Sequence, residues 1–459
     1  MNNITEIYLR SGSPALVREE MIGQIDRLPD EKAPPSGALF VSADGDDSND
    51  GLTPERPLRT LEKLAPAILA ALGVTHVFFR RGDVFRGVLR AAPGVTYSAY
   101  GYGEKPAVYG SPRNLADPAL WERAGENVWR LKERIPDCGT LFFNNSDLCS
   151  RKLIPSFDGQ KFVRRDNRSI PFDLFSEMTL DLDLFCRHEG GFTEKPSKEE
   201  SFPVPDVPDN CPTTLFLRCN AGNPGVVFES IESLPRRPII KIGSENGVTL
   251  RNLRLMYGGT HAVAAGGACV RDLRVEGCVI GRCGGAVQHY FGTDPNHPAG
   301  RRGEVTRYGN GVEIYGGCDG YTVEKCRVFQ IYDAGVTHQI TTNGRKYIQK
   351  NVLYRSNLIE NCTYGVEYFL DRTQGDESSR IEGCLIENNM ICGSGYGWGA
   401  QRHNIHTPAL IKSWDFCNEA SDFSIRNNLF GPCTERPLHI NAREPSSLPV
   451  MSGNLFYNS

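Results

Sequence analysis

The sequence has no apolar run approaching the ~18 residues that span a bilayer, so no membrane-crossing helix organises it. No Cys-x2-Cys pair occurs, which disfavours a zinc ribbon or finger. No spacing of the His-x-Glu-x-x-His kind argues for a metal, and nothing in the pattern asks for a cofactor. Neither sign of charge dominates. With 51 Lys+Arg against 55 Asp+Glu and a formal net charge of -4, the chain has neither the footprint of a nucleic-acid binder nor a polybasic membrane anchor. The start, Met1-Asn2-Asn3-Ile4-Thr5-Glu6, lacks a basic segment followed by an apolar one. The expectation is a cytoplasmic protein, or a secreted one if the N-terminus has been trimmed.

What is present is core-forming and turn-rich. Of 459 residues, 39% are hydrophobic and 23% charged, which permits a sizeable core and excludes bulk disorder. The 48 glycines exceed the usual ~7% and favour many turns. Fifteen cysteines recur in similar local contexts, such as Val275-Glu276-Gly277-Cys278 and Val323-Glu324-Lys325-Cys326. They read as buried thiols acting as small apolar side chains in a reducing compartment.

Four regions follow one another. Residues 1–37 are a polar lead-in, partly helical. Residues 38–111 carry short strands around a helical segment at Leu61 to Leu72. Asp44, Asp46, Ser48 and Glu55 fall at positions one, three, five and twelve of a calcium-loop pattern. Asn49 stands where glycine is required and Pro54 interrupts, so a solvated turn is expected. Residues 112–240 alternate strand-like runs with Pro- and Glu-rich loops and read as an inserted β-rich subdomain. From 241 to 459 short strands recur at intervals in the twenties, with Gly, Asn and Cys at corners. That period means a solenoid, and strands rather than helices make it a parallel β-helix. Asn252, Cys278, Cys326, Asn357 and Cys384 are expected to form corner ladders.

Phe40-Val41-Ser42, Pro57-Leu58-Arg59-Thr60-Leu61, Arg81-Gly82-Asp83-Val84-Phe85-Arg86-Gly87, Tyr97-Ser98-Ala99-Tyr100-Gly101, Gly222-Asn223-Pro224 and Tyr308-Gly309-Asn310-Gly311-Val312-Glu313 carry a resemblance. The chain from 38 to 459 resembles right-handed parallel β-helix carbohydrate-active enzymes of the pectin-lyase-like superfamily. It is most similar to β-helix glycoside hydrolases with a β-sandwich insertion, such as the xylosidase-like and fucosidase-like families. The resemblance implies an all-β fold and a carbohydrate substrate. It does not fix the reaction, because that superfamily holds hydrolases, lyases, esterases, epimerases and adhesins.

Four strand copies align after glycine corners: Val287-Gln288-His289-Tyr290, Val312-Glu313-Ile314-Tyr315, Val336-Thr337-His338-Gln339 and Val366-Glu367-Tyr368-Phe369. Their second positions are 25, 24 and 30 residues apart. With the valines inward, strand alternation puts Gln288, Glu313, Thr337 and Glu367 on one outer column. Tyr290, Tyr315, Gln339 and Phe369 lie beside it. Carboxylates for proton transfer next to aromatic faces suit a sugar groove. Glu367 is assigned as general acid and Glu313 as base, with Asp333 and Asp371 able to replace either. Coils about 4.8 Å apart put the two glutamates about 9.6 Å apart at the backbone, compatible with an inverting pair, whereas a register that sets them on adjacent coils, about 5 Å apart, would suit a retaining pair.

The substrate-binding candidates are Tyr315, Gln288, Gln339, His289, His338, Trp398 and Arg302. His289 and His338 fall on the core side in this register and read as buried hydrogen-bonders unless the register slips. Trp398 reads as a sugar platform or a cap over the late core. Arg302 belongs to a long polar excursion over 291–309 that reads as a groove wall. His261, His403 and His406 are isolated and read as surface or loop residues. A glycoside hydrolase is the first expectation. A uronate lyase, kept open by Arg301, Arg302, Arg345 and Lys346, and a non-catalytic carbohydrate-binding β-helix are the alternatives.

Overall fold

A computed structural model describes residues 3–458 apart from 35, 156–160, 164–168, 172–173, 189–192, 197–202, 207–211, 245, 291–304, 343, 372–377, 403–406, 415–418 and 443. Strands dominate, and the long parallel sheets run along a solenoid. Each coil visits three faces in turn. The coil from 312 runs through Val312–Glu324, which bends from the first face to the second, then Arg327–Ile331 on the third. The next coil continues on Ala334–Thr341, Ile348–Arg355 and Leu358–Glu360. All neighbouring rungs pair in parallel, so the chain is a parallel β-helix.

Six rungs of the first face matter below: β1 Val263–Glu276, β2 Val312–Glu324, β3 Ala334–Thr341, β4 Tyr364–Asp371, β5 Ala409–Ser413 and β6 Arg436–His439. Side chains alternate along them. Val312, Ile314, Val336, Val366 and Ile411 join one continuous apolar core inside the coil, which removes their surface from water at ~25 cal/mol per Å².

Two helices, α1 Ile4–Ser11 and α2 Pro14–Asp26, begin on side-chain caps from Asn3 and Ser13. They lay Ile4, Val17, Met21 and Ile25 against Leu358, Met390 and Leu429, and Arg18 pairs with Glu360 through two nitrogens. The expected helix at Leu61 to Leu72 is split. Pro66 cannot continue a preceding turn, so a 3-10 turn at Leu61–Leu64 precedes a short helix at Pro66–Ala71. In the acidic turn, Asp47 accepts from Arg59 N, Thr60 N and Thr60 Oγ1, Asp46 from Ser48 N, and Asp44 from Arg80. These carboxylates tie the turn together.

Between 110 and 238 an eight-stranded, mostly antiparallel sheet, with one parallel pairing, and a two-stranded ribbon form a separate apolar cluster around Trp121, Leu131, Leu141, Leu184 and Leu217. Lys152 reaches buried Asp137 at 2.7 Å, and Asp137 accepts from Val287 N at 2.8 Å, tying this sheet to the solenoid.

The corner ladder holds Cys278, Cys326 and Asn357 of its expected members and leaves out Asn252 and Cys384. It begins at Cys278 and Cys326 and continues as Asn357, Asn389, Asn428 and Asn454, each asparagine Oδ1 accepting from the residue one coil before. Asn252 lies one position earlier, at a left-handed corner with φ 55°, and Cys384 is a strand residue opposite Val352. Asn389 accepts from Asn357 N and Nδ2 at 2.9 and 3.0 Å and donates to Tyr354 O at 2.9 Å. Asn389→Ala takes these partners from buried Asn357 N and Tyr354 O, while Asn357 Nδ2 keeps its bond to Val323 O at 2.8 Å, so it should cost about 2 kcal/mol. Urea unfolding checks this, and a loss below about 1 kcal/mol would show that water replaces the ladder.

The described cysteines are free thiols, most of them buried. Among the described residues no helix is long and apolar enough to cross a membrane.

Candidate active site

The parallel register fixes one column of outward side chains on the first face. Glu313 on β2 stands opposite Thr337 on β3, and Thr337 opposite Glu367 on β4. Glu367 is followed by Lys412 on β5 and His439 on β6. The two glutamates therefore lie two rungs apart with fully buried Thr337 between them. In the adjacent column Tyr315, Gln339 and Phe369 flank them, and Tyr315 is 44% exposed.

Gln288 does not belong to this column. Val287–Tyr290 pairs antiparallel with Val305–Arg307 in a separate four-stranded sheet. The true rung before β2 is β1, which places Ala264 opposite Glu313 and Gly266 opposite Tyr315. A 25-residue interval resembles one coil, but here it holds a hairpin excursion.

Gln288 nevertheless reaches the site. A cleft of about 500 Å³ is lined by His261, Gln288, Tyr308, Glu313, Tyr315, Asp333, Gln339, Glu367, Phe369, Arg402 and Trp414. Three carboxylates thus share one cleft with aromatic faces. Glu313 is 7% exposed. Its Oε2 accepts from Asn310 Nδ2 and from Gln339 Nε2, the latter at 2.8 Å. Its Oε1 lies 3.4 Å from His261 Nε2. Asp333, in the bend before β3, is paired with the Arg402 guanidinium.

Glu367 is 2% exposed, and its Oε1 accepts from the Trp414 indole N–H. Burial pushes its carboxyl up to about 8, aided by the charges of Asp333 and Glu313 and opposed by the Trp414 hydrogen bond and Arg402. Burial disfavours the charged form of any acid, and like charges nearby do the same. On the next rung Lys412 packs its ammonium 4.8 Å from the centre of the Trp414 ring and meets His439 Nδ1 at 2.8 Å, which holds the indole in place.

These opposed influences give a paired test. Asp333→Asn removes a like charge and frees Arg402, and both changes favour the carboxylate. It should lower the Glu367 titration midpoint by roughly one pH unit or more. Trp414→Phe removes the donor to the carboxylate and should raise it. Carbon NMR of the Glu367 carboxyl reads both, and shifts of the same sign would contradict the geometry.

Other expected site residues lie elsewhere. Trp398 is 6% exposed, donates its indole N–H to Gln330 O at 2.8 Å, and packs against Phe142 and Tyr332. It is a core residue, not a sugar platform; Tyr308, Tyr315, Phe369 and Trp414 are the cleft aromatics. His338 points inward and is fully buried. Its Nδ1 meets Tyr354 OH at 2.9 Å, its ring stacks on Tyr368, and burial pushes it down to about 3. It cannot touch a substrate in the cleft.

Asp371 ends β4 opposite Thr341, and His289 lies on the excursion strand; the side chains of both lie outside the described residues, as does the whole of Arg302. His261, which reads as isolated in the sequence, lines the cleft, as do Arg402 and Trp414. Only Trp414 left a signal, three residues after Ile411 on the rung that follows Val366. Among the described residues no group of three His, Cys, Asp or Glu side chains is arranged to hold a metal.

Residues 239–407 match the family model described as "Right handed beta helix region". No curated protein matches the chain. Solved structures with similar folds include the complex of XylC with xylose, 12% identical with a TM-score of 0.37, covering 91% of this chain and 86% of that one. A GH136 lacto-N-biosidase from Eubacterium ramulus is 11% identical with a TM-score of 0.30, covering 92% and 68%. A polygalacturonase from Erwinia carotovora ssp. carotovora is 11% identical with a TM-score of 0.32, covering 94% and 96%. Likenesses this loose do not bear on the chemistry of the cleft. The three-faced parallel coils, together with the family match over 239–407, give the chain the fold of a right-handed parallel β-helix.

Proposed function

We propose that the protein is a glycoside hydrolase that cleaves a glycosidic bond in an oligo- or polysaccharide, with Glu367 as general acid and Glu313 as general base. The observation that carries this reading is the placement of Glu367. It is a carboxyl 2% exposed in a cleft that it shares with Asp333 and Glu313, and burial together with those two charges pushes it up to about 8, which favours its protonated form at neutral pH. A carboxylic acid that keeps its proton beside an ionised partner is the arrangement that protonates a leaving oxygen. Glu313 accepts two amide N–H donors on Oε2, a pattern suited to a carboxylate.

The rung spacing supports inversion. Two steps of about 4.8 Å separate the backbones by about 9.6 Å, which leaves room for a water between the carboxyl groups. Tyr308, Tyr315, Phe369 and Trp414 offer flat faces to a sugar ring. The described lining favours an uncharged sugar, because its one guanidinium, Arg402, is paired with Asp333. That weighs against a uronate lyase, which needs a cation for the sugar carboxylate.

The test is a panel of 4-nitrophenyl glycosides and neutral and uronic oligosaccharides with wild type, Glu367→Gln and Glu313→Gln. Release by wild type and loss in both variants is expected. Unsaturated products absorbing in the ultraviolet would assign a lyase instead. Binding without release, unaltered in both variants, would assign a non-catalytic carbohydrate-binding protein.

A further inference from the structure

His261 lies in the bend before β1 and lines the cleft, with its side chain 12% exposed. Its Nδ1 accepts the backbone N–H of Asn310 at 3.1 Å. In a neutral imidazole that leaves the proton on Nε2, and Nε2 faces Oε1 of Glu313 at 3.4 Å. This is longer than an ordinary N–H···O hydrogen bond of about 2.7–3.2 Å. The other carboxylate oxygen is already occupied by Asn310 and Gln339. Asn310 is itself buried, and its Oδ1 accepts from Ala334 N on the next coil at 2.8 Å. One asparagine thus fixes the histidine tautomer, the carboxylate and the coil spacing together. Oε1 is the oxygen left for proton transfer, and a fixed N–H donor stands beside it.

We propose that His261 is a further catalytic residue that, through its Nε2–H, holds the oxygen of the attacking water while Oε1 of Glu313 takes that water's proton. This rests on the hydrolase reading above. In the step, the water oxygen forms a bond to the anomeric carbon and one water proton passes to Glu313. The glycosidic carbon–oxygen bond breaks, and the Glu367 proton goes to the leaving oxygen. The two carboxyl groups end with their protons exchanged, and solvent resets them. His261 keeps its own proton throughout.

The test compares wild type, His261→Gln, Glu313→Gln and Glu367→Gln on 4-nitrophenyl glycosides and on glycosyl fluorides of the same sugars. Fluoride departs without protonation, so a defect on the acid side disappears with the fluoride and a defect on the water side persists. His261→Gln is expected to lower kcat by about 10–100-fold on both substrates, with KM changed by no more than about twofold. Wild-type kcat in His261→Gln, a loss confined to KM, or recovery on the fluoride would each overturn the role. No turnover by wild type, or unchanged turnover in Glu313→Gln and Glu367→Gln, would overturn the hydrolase reading itself. Nitrogen NMR of the substrate-free wild type gives an independent check: a bare Nδ1 and a protonated Nε2 are expected at His261, and the opposite tautomer overturns the proposal.

Discussion

Glu367→Gln is expected to lower kcat by about 10²–10⁴-fold while making the protein more stable at neutral and alkaline pH. Both effects come from one buried carboxyl. In the unfolded chain Glu367 ionises near the ordinary value of 4.5, whereas in the fold it does so at about 8. Below the lower value the group is protonated in both states and folding loses nothing. As the pH climbs from 4.5 towards 8, the unfolded chain gives up its proton and the folded one holds it. Stability present at low pH is therefore lost progressively, by about 2–4 kcal/mol at pH 8. Glutamine never ionises and escapes that loss. Urea midpoints of wild type and variant should nearly coincide at acid pH and separate at pH 8, with the variant higher. A wild type that is the more stable at pH 8 would mean that Glu367 is not held protonated. The same ionisation sets the alkaline limb of kcat, which should fall as pH rises through about 8 in wild type.

Glu313→Ala should lower kcat by about 10²–10⁴-fold, and added azide should restore part of it. Azide is already anionic and needs no base, so it can occupy the water position and attack the anomeric carbon. The Glu313→Ala protein with azide should release a glycosyl azide. Asp333 is the rival, since it shares the cleft and acts on Glu367 more strongly than Glu313 does. Its pairing with Arg402 suits it to holding the Glu367 proton in place. Rescue of Asp333→Ala by azide, with none of Glu313→Ala, would transfer the base role to Asp333.

The column that carries the pair was legible in the sequence because the repeat is written in side chains that must face inward. Val312, Val336 and Val366 fill equivalent core positions, so the residues after them, Glu313, Thr337 and Glu367, share the outer face. Gln288 obeyed the same local pattern yet sits in a hairpin excursion, because a valine before a polar residue does not record which strand lies alongside. For Trp398 the sequence leaves a sugar platform and a core cap both open; contact with Phe142 and with Tyr332 of the solenoid, which no local period records, makes it a core residue.

His261 and Arg402 left no signal, since each lies in a bend whose position depends on coil closure and not on any local period. Asn252 falls one position short of the asparagine ladder, because it occupies the left-handed corner itself and not the inward position that follows it.

Proton NMR of the first-formed product most directly tests the claim that two carboxyl groups two rungs apart flank one anomeric carbon. The sugar released by wild type should appear with its anomeric configuration inverted and mutarotate afterwards. Release with retained configuration would mean a closer pair and a covalent intermediate, and would contradict the assignment of Glu313 and Glu367 across the Thr337 rung.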